Sequence, residues 1–283
     1  RGTMPPIDTY GPGLHLGIEE ATYHALPGLA STGIKNMLRS PAHYKHSLTH
    51  RTEKAVFDVG HAAHAKILGA GMGTVVYPDE HLTPSGNVST KAATVAWASE
   101  QRAAGLVPVA PDQVRAVDAM AEAVLAHPEA RPLFEGGNPE VSLLWDDPDT
   151  GVRLRGRIDY LHESGPAVDL KTCRSADPRE FARTAVNFGY GEQAVHYTNG
   201  LIELAGVQPR FLHVLVEKEP PYLVSVVELD DVFLFIAAQR VRQAIDAYAH
   251  CLATDEWPGY PSIVHPIAAP NWYGDDDNEE MSL

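Results

Sequence analysis

Asp169-Leu170-Lys171 is an acid, one intervening residue and a lysine, and Asp159 stands ten residues before it. Two carboxylates and an ammonium brought to one place suit hydrolysis of a phosphodiester. Carboxylate oxygens are hard ligands that select Mg²⁺ or Mn²⁺. Such a cation polarises a phosphoryl oxygen and acidifies a bound water, while a lysine orients that water or offsets developing negative charge. The triplet alone carries little information, because seven lysines and 37 acids in 283 residues yield about one acid-x-Lys by chance. An ordinary strand-end ion pair is the plain alternative.

The elements around the triplet give it weight. Over Val152–Leu161 polar and apolar residues alternate, and period two puts Arg153, Arg155, Arg157 and Asp159 on one face, with Leu154, Gly156, Ile158 and Tyr160 on the other. On Ala167–Lys171, Asp169 and Lys171 share a face opposite Val168 and Leu170. If the two polar faces meet at a cleft, Asp159 and Asp169 converge on one cation with Lys171 beside it. A further strand, Glu140–Trp145, joins Val152–Leu161 through the turn-forming Asp146-Asp147-Pro148-Asp149-Thr150-Gly151.

Upstream, residues 5–30 read as an irregular arm. Ser31 or Thr32 starts a helix through Arg39, Ser40-Pro41 is a second helix start, and a third helix runs from Glu53 to Leu68. Gly73–Tyr77 reads as a short strand, and Thr90–Ala104 and Pro111–Ala126 as alanine-rich helices. Downstream come helices over Pro178–Val186 and Gly191–Leu204, strands over Phe211–Glu217 and Tyr222–Glu228, and a helix over Val232–Leu252. This order predicts a single mixed-sheet α/β domain over residues 29–252, flanked by helices and helical in its N-terminal portion. An arm (1–28) precedes it and an irregular acidic tail (253–283) follows.

Composition narrows the classes. At 44% hydrophobic and 21% charged residues the chain is an ordinary globular one. Two cysteines, Cys173 and Cys251, cannot build a disulfide framework, a four-cysteine zinc site or an iron–sulfur cluster, so a reducing, cytoplasmic setting is expected. With no general base at fixed spacing, Cys173 reads as an inert thiol. No apolar run is long enough to span a bilayer. No G-x-x-x-x-G-K-[ST] loop, H-E-x-x-H, G-x-S-x-G or dinucleotide fingerprint is present, so no nucleotide cofactor is expected. The net charge of -15 opposes a polyanionic partner only superficially. Eight acids and no lysine or arginine lie between Gln243 and Leu283, leaving -7 on residues 1–242. Lys35, Arg39, Lys45, Arg51 and Lys54 oppose only Glu53 between Leu29 and Ala55.

Taken together, Gly60-His61-Ala62-Ala63-His64, Glu140, Gly156-Arg157-Ile158-Asp159, Asp169-Leu170-Lys171-Thr172 and Gln193 with Tyr197 resemble the ordered motifs of the PD-(D/E)xK nucleases of the RecB and lambda-exonuclease type. Among these the chain is most similar to the phage and prophage RecE-like exonucleases, over roughly residues 29–230. The resemblance implies that His64, Asp159, Asp169 and the backbone carbonyl of Leu170 ligate a catalytic Mg²⁺, for which Mn²⁺ substitutes. Lys171 would position or activate water, and Glu140 would hold a second metal or a metal-bound water. Gln193 and Tyr197, four apart on a helix, would reach the site or the DNA backbone. His61 is three residues from His64 and stays open as the ligand, although the family spacing favours His64. Arg153, Arg155, Arg157, Lys35, Lys45 and Arg51 are candidate phosphate contacts.

The implied function is Mg²⁺-dependent exonucleolytic hydrolysis of linear double-stranded DNA from the 5′ end, in phage-type recombination. The implied assembly is a homo-oligomeric ring working with a single-strand annealing protein, away from membranes. A non-catalytic DNA-binding protein that retains the fold, and an endonuclease of the same superfamily, remain as alternatives.

Overall fold

The computed structural model describes residues 10–50, 59–70, 73–163 and 165–270. A six-stranded sheet runs through it. Its strands are β1 (Gly13–His15), β4 (Gly137–Asp146), β5 (Arg153–His162), β6 (Ala167–Cys173), β7 (Phe211–Glu217) and β8 (Val224–Glu228), in that spatial order. Every neighbouring pair is antiparallel except β6 and β7. A parallel pair needs a crossover, and α7 (Pro178–Phe188) with α8 (Tyr190–Ala205) provides it. Asp177 caps α7 by accepting from the Arg179 N–H, and Pro178 opens the helix. Gly189, at φ 67°, ends α7 and lets α8 start at the next residue in a new direction.

Helices cover both faces. Leu143, Trp145, Leu154 and Ile158 bury against α2 (Ser31–Arg39), α8 and α9 (Asp231–Thr254), while Val168, Leu170, Val214 and Val216 bury against α4 (Val59–Leu68) and α6 (Pro111–Ala126). Trp145, 2% exposed, enters the first core because residue 200 is glycine. A Cβ there would lie 3.0 Å from the indole. The second core also takes in β3 (Leu106–Val109), which pairs in parallel with β2 (Gly73–Val76) in a separate two-stranded sheet. Three layers, helix on sheet on helix, make this the mixed α/β fold that the order of elements implies. Among the described residues no helix is long and apolar enough to cross a membrane.

Two expectations need correction, and one strand was not foreseen. Residues 10–28 are not irregular: β1 extends the sheet, and α1 (Glu20–Ala25) packs Tyr23 with Ile18, Leu26 and Leu144. The alternation of β5 is not strict either. Ile158 and Leu161 both join the first core whereas Tyr160 joins the second, so the strand skips a step at Asp159. Opposite that step stands Glu140, a non-glycine residue at φ 49°, and the strand pairing resumes at Val141 with Ile158. Finally, β3 carries no clear signal of its own, being four residues with a proline. Of the N-terminal helices, α2, α3 (Pro41–Thr49) and α5 (Ala92–Ala103) stand close to their expected places. Of the expected helix over Glu53–Leu68, the portion 53–58 lies outside the described residues.

Candidate active site

β5 and β6 pair at only two positions, Tyr160 with Val168 and Leu161 with Ala167, and then part. Into the gap points the Asp159 carboxylate, whose Oδ2 accepts from the Leu170 backbone N–H at 2.8 Å where a strand carbonyl would otherwise do so. The same oxygen lies 2.9 Å from His64 Nε2 on α4. Asp169, 1% exposed, lies one strand over. Lys171 Nζ sits 2.9 Å from Asp169 Oδ1 and 3.1 Å from Gln193 Oε1, and Gln193 Nε2 returns a hydrogen bond to Asp169 Oδ1 at 2.9 Å. Gln193 thereby fixes the acid and the lysine together. Its amide is steadied by the Tyr197 hydroxyl at 3.5 Å, which in turn meets Ser31 Oγ at 3.4 Å. Tyr197 reaches this position because residue 156 is glycine: a Cβ there would fall 2.7 Å from the tyrosine ring.

The charges are tightly interlocked. Burial works against a charged His64, yet the Asp159 carboxylate outweighs it and holds the imidazole above its ordinary range. Burial likewise opposes ionisation of Asp159, but His64, Lys171 and the Leu170 N–H together keep its pKa low. At Asp169 burial prevails. With the repulsion of Asp159 it pushes the carboxyl up to about 6 despite Lys171. Lys171 is half-buried, and Asp169 with Asp159 holds it protonated well past the usual lysine range.

Two carboxylates and an imidazole around this gap are a donor set suited to a hard divalent cation. Lys171 approaches Asp169 Oδ2 to 2.7 Å but off the hydrogen-bonding direction, so that buried oxygen has no hydrogen-bond donor among the described residues. An orphaned anionic oxygen of this kind fits a cation. As the side chains stand, no three His, Cys, Asp or Glu among the described residues converge on one point. Lys171, and His64 when protonated, supply the positive charge instead. A cation would displace the His64–Asp159 contact.

The structure therefore brings His64, Asp159, Asp169, Leu170, Lys171, Gln193 and Tyr197 together. Glu140 lies across from Asp159 in the strand register and pairs with Arg157 Nη1 at 3.7 Å. The side chain of His61 lies outside the described residues, as do Arg51, Lys54 and the acidic run from Asp275 to Glu280.

The arginine row is a correction. Arg155, 8% exposed, donates to the backbone carbonyls of Gly28 and Tyr23, and Arg157 donates to Ser142 Oγ and the Ile18 carbonyl. Both guanidinium groups also lie over the Tyr23 ring. They hold the N-terminal arm to the sheet and are not presented to a phosphate. Arg153 is spent on Asp146. Lys45 pairs with Asp255 at 3.4 Å and covers Trp257, which stacks on Tyr44 and anchors the start of the tail. Lys35 lies over the Phe188 ring. Cys173 has a thiol pushed up to about 11 by burial and by Glu217, so it is no nucleophile.

Sequence reasoning missed Ser31, Tyr190 and His213. Tyr190 lies under Lys171, with 4.6 Å from Nζ to the ring centroid. His213 is Asp169's partner in the β6–β7 register and is fully buried among Phe181, Tyr190 and Phe211. Strand pairing alone would have found His213 once β6 was known to neighbour β7.

A mixed sheet that parts between two strands, with Asp, Asp-x-Lys and a helical Gln at the gap, defines the PD-(D/E)xK nuclease class of fold. Residues 30–264 match the family described as "PDDEXK-like domain of unknown function", and the chain belongs to that family. Among solved structures, a candidate exonuclease from Eubacterium rectale is similar with a TM-score of 0.59 at 12% identity, over 90% of this chain and 97% of that one. At such identity the likeness speaks for the fold alone. An alkaline exonuclease from Laribacter hongkongensis aligns over 69% of this chain and 90% of that one at 14% identity. Its TM-score of 0.27 is too low to argue from. No curated protein matches the chain.

Proposed function

We propose that the protein is a Mg²⁺-dependent exodeoxyribonuclease acting on the ends of linear double-stranded DNA, with Mn²⁺ able to substitute. The observation that carries this reading is the Asp159, Asp169, Lys171 and Gln193 cluster at the parting of β5 and β6, next to His64. His64, Asp159, Asp169 and the Leu170 carbonyl would hold the cation, and Glu140 would serve a second one or its water. When bound, the cation supplies Lewis-acid polarisation of the phosphoryl oxygen and acidifies water. The chain's own groups do the rest. Lys171, held protonated, offsets charge that develops on the phosphate. Gln193 keeps Lys171 and Asp169 in register, and Tyr197 with Ser31 keeps the Gln193 amide from turning.

A 5′-to-3′ direction, a role in phage-type recombination, a cytoplasmic setting, a closed oligomer around the duplex and an annealing partner rest on the sequence resemblance alone. Digestion of end-labelled linear duplex in Mg²⁺, beside covalently closed circles, tests the whole reading. Stepwise release of nucleotides from linear DNA with circles left intact supports it. Cutting of circles would make the enzyme an endonuclease. No hydrolysis of either would leave a DNA-binding protein that retains the fold.

A further inference from the structure

Phe188, the last residue of α7, is 55% exposed although its ring is large and apolar. It does not stand alone. Its centroid lies 5.7 Å from that of Tyr190 with the planes 18° apart, and Tyr190 lies 5.9 Å from Phe181 with the planes 24° apart. Phe181 is 6% exposed, so the three rings form a ladder rooted in the core and open at its outer rung. The middle rung carries Lys171 Nζ 4.6 Å from its centroid, and the outer rung carries Lys35 Nζ at 5.8 Å. The αL turn at Gly189 lets these parts meet closely, since a Cβ there would lie 3.0 Å from the Lys35 stem and displace it from the corner.

An aromatic face, stiffened from behind, open in front, one ring away from the proposed catalytic lysine and edged by a second lysine, matches a nucleotide. Its base stacks on a ring whatever its identity, and its phosphate meets the ammonium. Accepting the nuclease reading above, we propose that Phe188 is the stacking platform for the unpaired base next to the phosphate to be cut, with Lys35 holding that nucleotide's backbone. The platform gives the enzyme a grip on a strand end that does not depend on sequence or on the catalytic cation. Val186, 65% exposed on the same helix, makes a protein partner the competing occupant.

The test is a titration, in EDTA, of the full chain into a short single strand carrying 2-aminopurine, whose fluorescence is quenched by stacking. The wild type should bind and quench. Phe188→Ala should weaken binding about tenfold or more and abolish the quench, whereas Phe188→Trp should preserve both. Lys35→Ala should weaken binding less and flatten its salt dependence. Thermal unfolding checks that the variants remain folded. Equal affinity and quench for wild type and Phe188→Ala would overturn the platform, as would a wild type that digests duplex ends but neither binds nor quenches the strand. A change in oligomeric mass with Phe188→Ala at unchanged affinity would also overturn it, in favour of a protein partner. Digestion of duplex in Mg²⁺ is scored separately, so absence of nuclease activity is not mistaken for failure of the platform.

Discussion

The two halves of β5 carry charged residues at the same spacing and put them to opposite uses. In the first half Arg155 and Arg157 are roofed by residues 10–28. Leu29 pairs with the strand edge that β6 has left, its N–H donating to the Arg153 carbonyl and its own carbonyl accepting from the Arg155 N–H. In the second half no arm intervenes. Asp159 faces the gap where β5 and β6 part, and its carboxylate fills the missing ladder position. Alternation assigns a side chain to a face, but what lies over that face decides whether its charge binds the protein or a substrate. A row of basic residues on a strand is thus no evidence of a nucleic-acid surface until the face is known to be uncovered.

The sharpest way to break this contrast is to exchange the consequences of mutation. Asp159→Asn should lower DNA hydrolysis by about 100-fold or more, as removal of a group that stabilises the reacting charge does, with at most a small loss of melting temperature as His64 loses its carboxylate partner. An initial-rate assay beside a thermal melt reads both. Arg155→Ala should do the reverse, destabilising by about 2–3 kcal/mol because two buried carbonyls lose their donor, while the folded fraction keeps its rate. Chemical denaturation measures it, and a lost rate at unchanged stability would move Arg155 into the active site.

His196 extends the comparison to pH. It is fully buried beneath the covered half, with Nε2 3.0 Å from the Arg155 carbonyl, and burial lowers its pKa to about 4. The unfolded chain would take up a proton near the ordinary value of about 6.5 that the native protein refuses until about 4. Stability is therefore full above about 6.5 and falls as the pH drops toward 4, by an amount of order 3 kcal/mol. In His196→Gln the melting temperature should depend less on pH across that window. Gly156→Ala should cost about 1–3 kcal/mol through its clash with Tyr197 and should also slow hydrolysis by shifting the Gln193 amide. Arg153→Ala, which breaks only a partly exposed pair with Asp146, should cost about 1 kcal/mol or less.

Much of this was legible in the residues. Pro111–Ala126 and Phe211–Glu217 form where the pattern puts them because each is bounded by local signals and has an unbroken period. Asp159, Asp169 and Lys171 stood out by residue type at the ends of two neighbouring strands, whereas Gln193 and Tyr197 entered through the family resemblance, their i, i+4 spacing only placing them on one helical face. What could not be read depends on distant partners. β1 is three residues long and exists through pairing with β4, more than 100 residues away. The skip at Asp159 arises opposite the positive φ of Glu140, which a glutamate does not advertise. Ser31 meets Tyr197, and Phe188 joins Tyr190 and Lys35, only after α2 and α8 have packed.

The most direct test of the central contrast is digestion of linear duplex in Mg²⁺ by Lys171→Ala and Arg155→Ala, each normalised to the fraction of molecules folded. Loss of about 100-fold or more in Lys171→Ala, with Arg155→Ala near the wild-type rate, is the expected result. Digestion by Lys171→Ala at the wild-type rate would contradict it.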